Sequence, residues 1–471
     1  MRKIYNSPFS SRYSSKEMRY IFSDDYKYQT WRKLWIVLAE SQMELGLDVS
    51  LEQVEELKKE QFNINYQVVE KYEDIYCHDV IAHIMAYGLQ CAKAKPIIHL
   101  GATSCFITDN TDIIIIKEGL ILIRNQILKI ISELSNFAKM YIKTPTLSYT
   151  HLKPAQLTTV GKRTTLWIYD LLIDLLEIND ILSNLKLLGS KGTTGTQASF
   201  LALFDNDHNK VKRLDELITT KLGFKESVEV CGQTYSRKFD TKVMNALCNV
   251  AQSSAKFSND IRFLHHLKEI EEPFKEKQIG SSAMPYKKNP IGSERICGLA
   301  RFIISNNINF HLNFSSQWLE RTLDDSSNRR LCIPQMFLAL DTILDLYINI
   351  INGLKVNEDI ILSNVLREMP YIIMENLIVN GTMDGGDRQE LHKNMRDLSN
   401  SISNYDNINI NVKDYIVTNI LKNFSLNITY EELSKKIKRP EDYIGRSVEQ
   451  VEEFLENHVE LLLSDAEKMM I

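Results

Sequence analysis

Residues 109–141 read DNTDIIIIKEGLILIRNQILKIISELSNFAKMY. Leu120, Ile123, Ile127, Ile131, Leu134 and Phe137 recur every three or four positions, the spacing of one stripe along a helix. Outward from this segment the pattern repeats. Residues 156–188 carry Leu172, Leu175, Leu176, Ile181, Leu182 and Leu185 at helical spacing, and further helices are expected over 240–267, 290–318 and 331–354. Helices of roughly 25 residues are well beyond the mean of about 11–12. Long apolar stripes must cover one another, so the fold class is all-α with a central bundle. Strand signals are few: Thr146–Tyr149 and Glu229–Cys231 read as short connectors. A helical scaffold without chemistry accounts for these segments taken alone.

The bulk numbers fit that class. The chain has 471 residues, 25% charged and 44% hydrophobic, which is ordinary for a globular protein too long for one small core. A net charge of −5 gives no sign of a nucleic-acid surface. No uninterrupted apolar run of membrane-spanning length (about 18 residues) is present, and the start, Met1-Arg2-Lys3-Ile4-Tyr5-Asn6, lacks the apolar segment of a signal peptide. Seven scattered cysteines without a CxxC pair read as reduced thiols of a cytoplasmic protein, not as a disulfide frame or metal site.

Polar loops that a bundle does not need for stability interrupt the helices: His99–Ser104, Thr150–Pro154, Lys191–Thr196 and Gly280–Pro290. Loops on a rigid scaffold are where sites are built. The last reads Gly-Ser-Ser-Ala-Met-Pro-Tyr-Lys-Lys-Asn-Pro. Pro285 and Pro290 exclude a continuous helix, and Pro290 suits the start of the next one. Exposed N–H groups, the Ser281 and Ser282 hydroxyls and the Lys287 charge make this loop a receptor for an anion. By composition alone it is equally a surface turn. The Asn/Ile-rich stretch 400–411 reads as a surface loop, and Gly385–Gln389 as a structural one.

The order of residues in these loops resembles the fumarase/aspartase superfamily. Its three motif regions correspond to Gly101–Ser104 with Thr108–Asn110, to Thr150–Gln156, and to Gly280–Pro290. Ser11-Arg12-Tyr13, His78-Asp79, Gly232–Lys238 and Arg321–Arg330 narrow the resemblance to the adenylosuccinate lyase family, in its animal-like branch. The resemblance implies three helical domains, 1–104, 105–356 and 357–471, completed by a homotetramer whose active sites are shared between subunits. It implies cofactor-free and metal-free release of fumarate from adenylosuccinate, leaving AMP, and from the succinyl-carboxamide imidazole ribotide SAICAR, leaving AICAR. Partners are then these small molecules and further copies of the chain, with neither nucleic acid nor membrane.

It also implies roles. His151 is the general acid, an imidazole able to carry a proton near neutrality. Glu294 is its orienting carboxylate, although a Glu in the first turn of a helix equally suits the helix dipole. Ser281 is the general base, its anion stabilised by Lys287 and nearby N–H groups; the residues alone do not separate it from Ser282. Arg12, Tyr13, Arg321, Ser326 and Arg330 take the phosphate and ribose end. Thr103, Ser104, Gln233, Lys287 and Asn289 take the succinyl part, Arg295 joins the binding set, and His78 with Asp79 lies near the phosphate and leaving nitrogen. Cys77 stands where the animal-like branch carries a basic residue, so weaker phosphate binding is expected. A lyase for argininosuccinate would not need the phosphate-gripping arginines, and a reused non-catalytic relative would have lost His151 or Ser281.

Overall fold

The computed structural model describes residues 5–403, 417–420 and 429–464. Its principal elements are α1 (Asp24–Glu44), α2 (Tyr66–Tyr76), α3 (Asp79–Gln90), α4 (Ser104–Met140), the hairpin strands β1 (Pro145–Thr150) and β2 (Lys153–Thr159), α5 (Val160–Ser183), α6 (Lys238–His266), α7 (Ile291–Asn306), α8 (Asp324–Ile351) and α9 (Glu358–Met383). The fold is all-α, as the stripes predict.

Chain contacts divide it into two compact units. The first comprises Met1–Ile127, Ile173–Lys256 and Arg295–Leu346. Its core gathers Trp31, Trp35, Tyr87, Phe106, Phe200 and Tyr235 with aliphatic residues of α1, α3 and α4. Trp35 Nε1 donates to His99 Nδ1 at 3.0 Å, so this buried indole has a partner. The second comprises Leu128–Leu172, Phe257–Glu294 and Tyr347–Ile471. There Phe257 stacks on Tyr347 at 3.9 Å and meets Trp167 edge-on at 5.1 Å, while the Trp167 indole donates to Asp260.

Helix ends follow local chemistry. Ser23 Oγ accepts from the Tyr26 N–H, and Asp24 and Asp25 occupy the first turn of α1. Glu272 accepts the Gly292 and Ser293 N–H groups at 2.9 and 2.7 Å, starting α7 just after Pro290 as expected. The helix expected over 290–318 breaks at Asn307 into Ile291–Asn306 and Ile308–Ser315. The Asn306 side chain bonds the Phe302 carbonyl, and Asn307 is drawn to Asn245; such side-chain competition weakens a helix. α8 starts at Asp324, seven positions before the expected 331, because Asp324 and Asp325 suit a first turn and Pro334 is absorbed inside the helix. By length and composition α8 could cross a membrane, but 67% of its apolar window is buried within the protein.

Thr146–Tyr149 lies in β1. Glu229–Cys231 forms no strand: Val230 is 92% exposed and has no face to cover. Residues 400–403 of the Asn/Ile-rich stretch end a helix, Arg388–Ser403, and 404–411 lie outside the described residues.

Candidate active site

A cavity of about 1050 Å³ opens in the first unit. Its wall is made from helix ends: Asp24, Lys27 and Tyr28 from the start of α1, Cys77 and His78 between α2 and α3, Asp79 from the first turn of α3, and Thr103 and Ser104 at the start of α4. Gln233, Arg237 and the segment from Arg321 to Pro334 complete it. The Phe106 N–H donates to the Thr103 carbonyl, so α4 begins at the Gly-Ala-Thr-Ser motif rather than beyond it. The Thr103 and Ser104 hydroxyls thereby stand at a helix N-terminus, where unpaired N–H groups favour negative charge.

Eight expected site residues line this cavity: His78, Asp79, Thr103, Ser104, Gln233, Arg321, Ser326 and Arg330. Arg330 Nη2 donates to Asp79 Oδ2 at 2.9 Å. Arg321 Nη1 donates to Gln233 Oε1 at 2.7 Å and contacts Cys105 Sγ, and Gln233 Nε2 donates on to Thr103 Oγ1 at 3.3 Å. The relay fixes the amide and leaves the rest of the Arg321 fork unassigned. His78 caps α3 through its ring, accepting from the Ile81 N–H at 3.4 Å. Cys77 closes α2 in the left-handed conformation, φ 50°, which aims His78 at the cavity edge.

The wall continues inward into a buried charge network. Arg237 donates from Nε to Asp325 at 2.6 Å and from Nη1 to Asp109 at 2.9 Å. Arg329 donates to Asp240 at 2.7 Å, reaches Asp112 at 3.0 Å and bonds the Tyr235 hydroxyl. Both guanidinium groups also sit over the Tyr235 ring, at 4.7 and 5.5 Å. Burial is the largest influence on Arg237 and opposes its charge, but the acidic groups around it, Asp109 foremost, together outweigh burial and hold the guanidinium protonated above its ordinary range. Residue types alone do not reveal this network or Lys27. Asp109, Arg237 and Arg329 fall inside the quoted motifs, yet nothing in the sequence separates a buried arginine from its exposed neighbour Arg330.

The remaining expected residues are placed elsewhere. Arg12 is exposed, and Tyr13 packs edge-on to Phe9 and under the Arg295 guanidinium at 5.9 Å. Ser15, just beyond them, donates from its N–H and its hydroxyl to buried Asp341 at 2.6 and 3.0 Å, anchoring this segment.

In the second unit His151 and Leu152 form the two-residue turn between β1 and β2, with φ 52° and 59°. Two positive φ values define the I′ hairpin turn, which favours Asn-Gly. A histidine followed by a leucine 73% exposed gains no compensating burial there, so the imidazole is projected from a strained tip. The loop 280–290 is tied to itself. Ser281 Oγ accepts from the Ala283 and Met284 N–H groups at 3.3 and 3.1 Å. Asn289 Nδ2 donates to the Gly280 carbonyl at 2.9 Å, and His265 Nε2 lies 3.0 Å from the Lys288 carbonyl. A Cβ at Gly280 would lie 2.0 Å from the Lys287 carbonyl oxygen, so only glycine lets the loop close. Lys287 and Glu294 are exposed, and within one chain no hydrogen bond joins Glu294 to His151 among the described residues.

The chain matches the model of the lyase family over residues 26–304. It is 42% identical to the adenylosuccinate lyase of Schistosoma mansoni over 97% of this chain and 95% of the relative. It is likewise 42% identical to that of Saccharomyces cerevisiae, over 99% and 97%. Among solved structures, the 3-carboxy-cis,cis-muconate lactonizing enzyme of Pseudomonas putida superposes with a TM-score of 0.82 at 20% identity, over 96% of this chain and 99% of the other. At that identity the likeness is one of fold.

Proposed function

The chain belongs to the adenylosuccinate lyase family, and from that premise we propose that it eliminates fumarate from adenylosuccinate, leaving AMP, and from SAICAR, leaving AICAR. One observation in this structure carries the reading: the cavity of the first unit is walled by Arg321, Arg330, His78 and the hydroxyls of Thr103, Ser104 and Ser326. A substrate with a phosphate and two carboxylates needs such a set of cations and donors, with arginine forks suited to its planar carboxylates.

The chemistry divides among the chain's own residues. Ser281, as its alkoxide, takes a proton from the carbon next to a carboxylate. The electron pair of that C–H bond becomes the double bond of fumarate, the C–N bond breaks, and His151 protonates the departing nitrogen. The N–H groups of Ala283 and Met284 already converge on Ser281 Oγ and would stabilise its anion, with Lys287 supplying charge. Arg12, Tyr13, Arg321, Ser326 and Arg330 hold the phosphate and ribose. Thr103, Ser104, Gln233 and Asn289 hold the succinyl part, and Arg295 steadies Tyr13. Glu294 orients the imidazole once subunits assemble.

Assembly is part of the proposal. Leu166, Tyr169, Ile173 and Leu176 make an exposed apolar stripe at helical spacing along α5, which supports burial against further copies in a homotetramer with shared sites. The test is a product assay on purified protein with adenylosuccinate and a chelator. Equimolar AMP and fumarate are expected; absence of turnover by a folded oligomer would overturn the substrate assignment. Sedimentation would check the tetramer separately.

A further inference from the structure

Lys27 is a cation of the cavity wall that none of the motifs contains. It lies in the first turn of α1, with its ammonium 5.0 Å from the Tyr28 ring centroid and 5.3 Å from that of Trp31. Two aromatic faces thus steady it, yet Nζ makes no hydrogen bond and no ion pair among the described residues. The other cations beside it are occupied: Arg330 by Asp79, Arg329 by Asp240 and Asp112, and Arg237 by Asp109 and Asp325. Burial, and next the positive charge of Arg330, push the Lys27 ammonium below its ordinary value against the pull of Asp112, Asp79 and Asp24. A half-buried ammonium facing a second cation, without a counter-charge in hydrogen-bond reach, is an unfavourable arrangement in the empty cavity. An anion seated between Lys27 and Arg330 relieves it.

We propose that Lys27 is a substrate-binding residue, donating from Nζ to the phosphate of the nucleotide with Arg330 as its neighbour on the same group. This rests on the lyase reading for the identity of the ligand, but not for the presence of an anion site. Lys27 contributes by charge and position and takes no part in the proton transfers.

The test is calorimetric binding of AMP, adenosine and inorganic phosphate to wild type, Lys27→Met and Lys27→Arg, with thermal unfolding as a folding control. Loss of one charge-assisted hydrogen bond predicts AMP binding about 10- to 100-fold weaker in Lys27→Met. Adenosine affinity is expected unchanged, because the effect belongs to the phosphate, and Lys27→Arg is expected to recover most of the AMP affinity. Equal weakening of AMP and adenosine, or unchanged AMP affinity, would overturn the assignment. If wild type binds phosphate but not AMP, the nucleotide reading fails, and the difference in phosphate affinity between wild type and Lys27→Met still decides the role of Lys27.

Discussion

Arg237→Met tests whether the cavity wall depends on the buried charge network that it belongs to. The arginine and both of its carboxylate partners are buried, so the perturbation is internal and poorly screened. The variant removes three donors: Nε to Asp325 at 2.6 Å, and Nη1 and Nη2 to Asp109 at 2.9 and 3.3 Å. Asp109 keeps the Tyr235 N–H at 3.2 Å. Asp325 keeps no side-chain partner among the described residues, since its Oδ1 is already unpartnered there in the wild type. Breaking a buried pair from one side costs about 3–5 kcal/mol, and the stranding of Asp325 places this case at the upper end. The assay is urea unfolding at fixed protein concentration, because assembly makes stability concentration-dependent. The double variant Arg237→Met/Asp325→Leu removes the stranded charge and should recover about 2 kcal/mol as a coupling term. Gln233 lies four residues before Arg237 on the same segment, so the single variant should also raise KM more than it lowers kcat. A loss below about 1 kcal/mol, the worth of an exposed pair, would show that water reaches the network and would refute the argument.

Ser281→Ala should lower kcat by about 100-fold or more without changing the melting temperature, and near-normal turnover would transfer the base role to Ser282. His151→Ala should match it in rate loss, since both groups act in one elimination. At Gly195, with φ 81°, an added Cβ would meet the Cys231 carbonyl oxygen at 2.0 Å; Gly195→Ala should cost roughly 2 kcal/mol or more, read by urea unfolding. Burial, and then the charges of Arg32 and Lys27, lower His83 from 6.5 to about 4. Because the unfolded chain binds this proton first, the stabilising effect is complete above pH 6.5 and is lost as pH falls towards 4. It amounts to about 3 kcal/mol at full loss. His83→Phe should flatten that limb of the pH–stability curve, and an unchanged slope would contradict the assignment.

The helical architecture was legible because a stripe such as Leu120 to Phe137 leaves few ways to be buried, and the loops were legible because clusters of glycine, proline, serine and threonine disfavour a continuous helix. What escaped depends on tertiary contact. The hairpin around His151 carries none of the Asn-Gly chemistry that announces an I′ turn, so His151 read as a residue of an ordinary polar loop. Its strained conformation is imposed by the pairing of Pro145–Thr150 with Lys153–Thr159 on either side. Arg329 and Arg330 are adjacent in sequence, yet one is buried against Asp240 and the other meets Asp79 at the cavity. Helical rotation of about 100° per residue separates their fates, and only the packing of α8 sets which direction is inward. Lys27 is the sharper case. A lysine in the first turn of a helix opposes the helix dipole, so on local grounds it belongs in solvent. Its contacts with Tyr28 and Trp31, one and four positions on, are local, but its place in a wall that also carries Arg330 is set by tertiary packing. An ammonium held beside a second cation, with no hydrogen bond or ion pair among the described residues, points to a ligand as the missing partner.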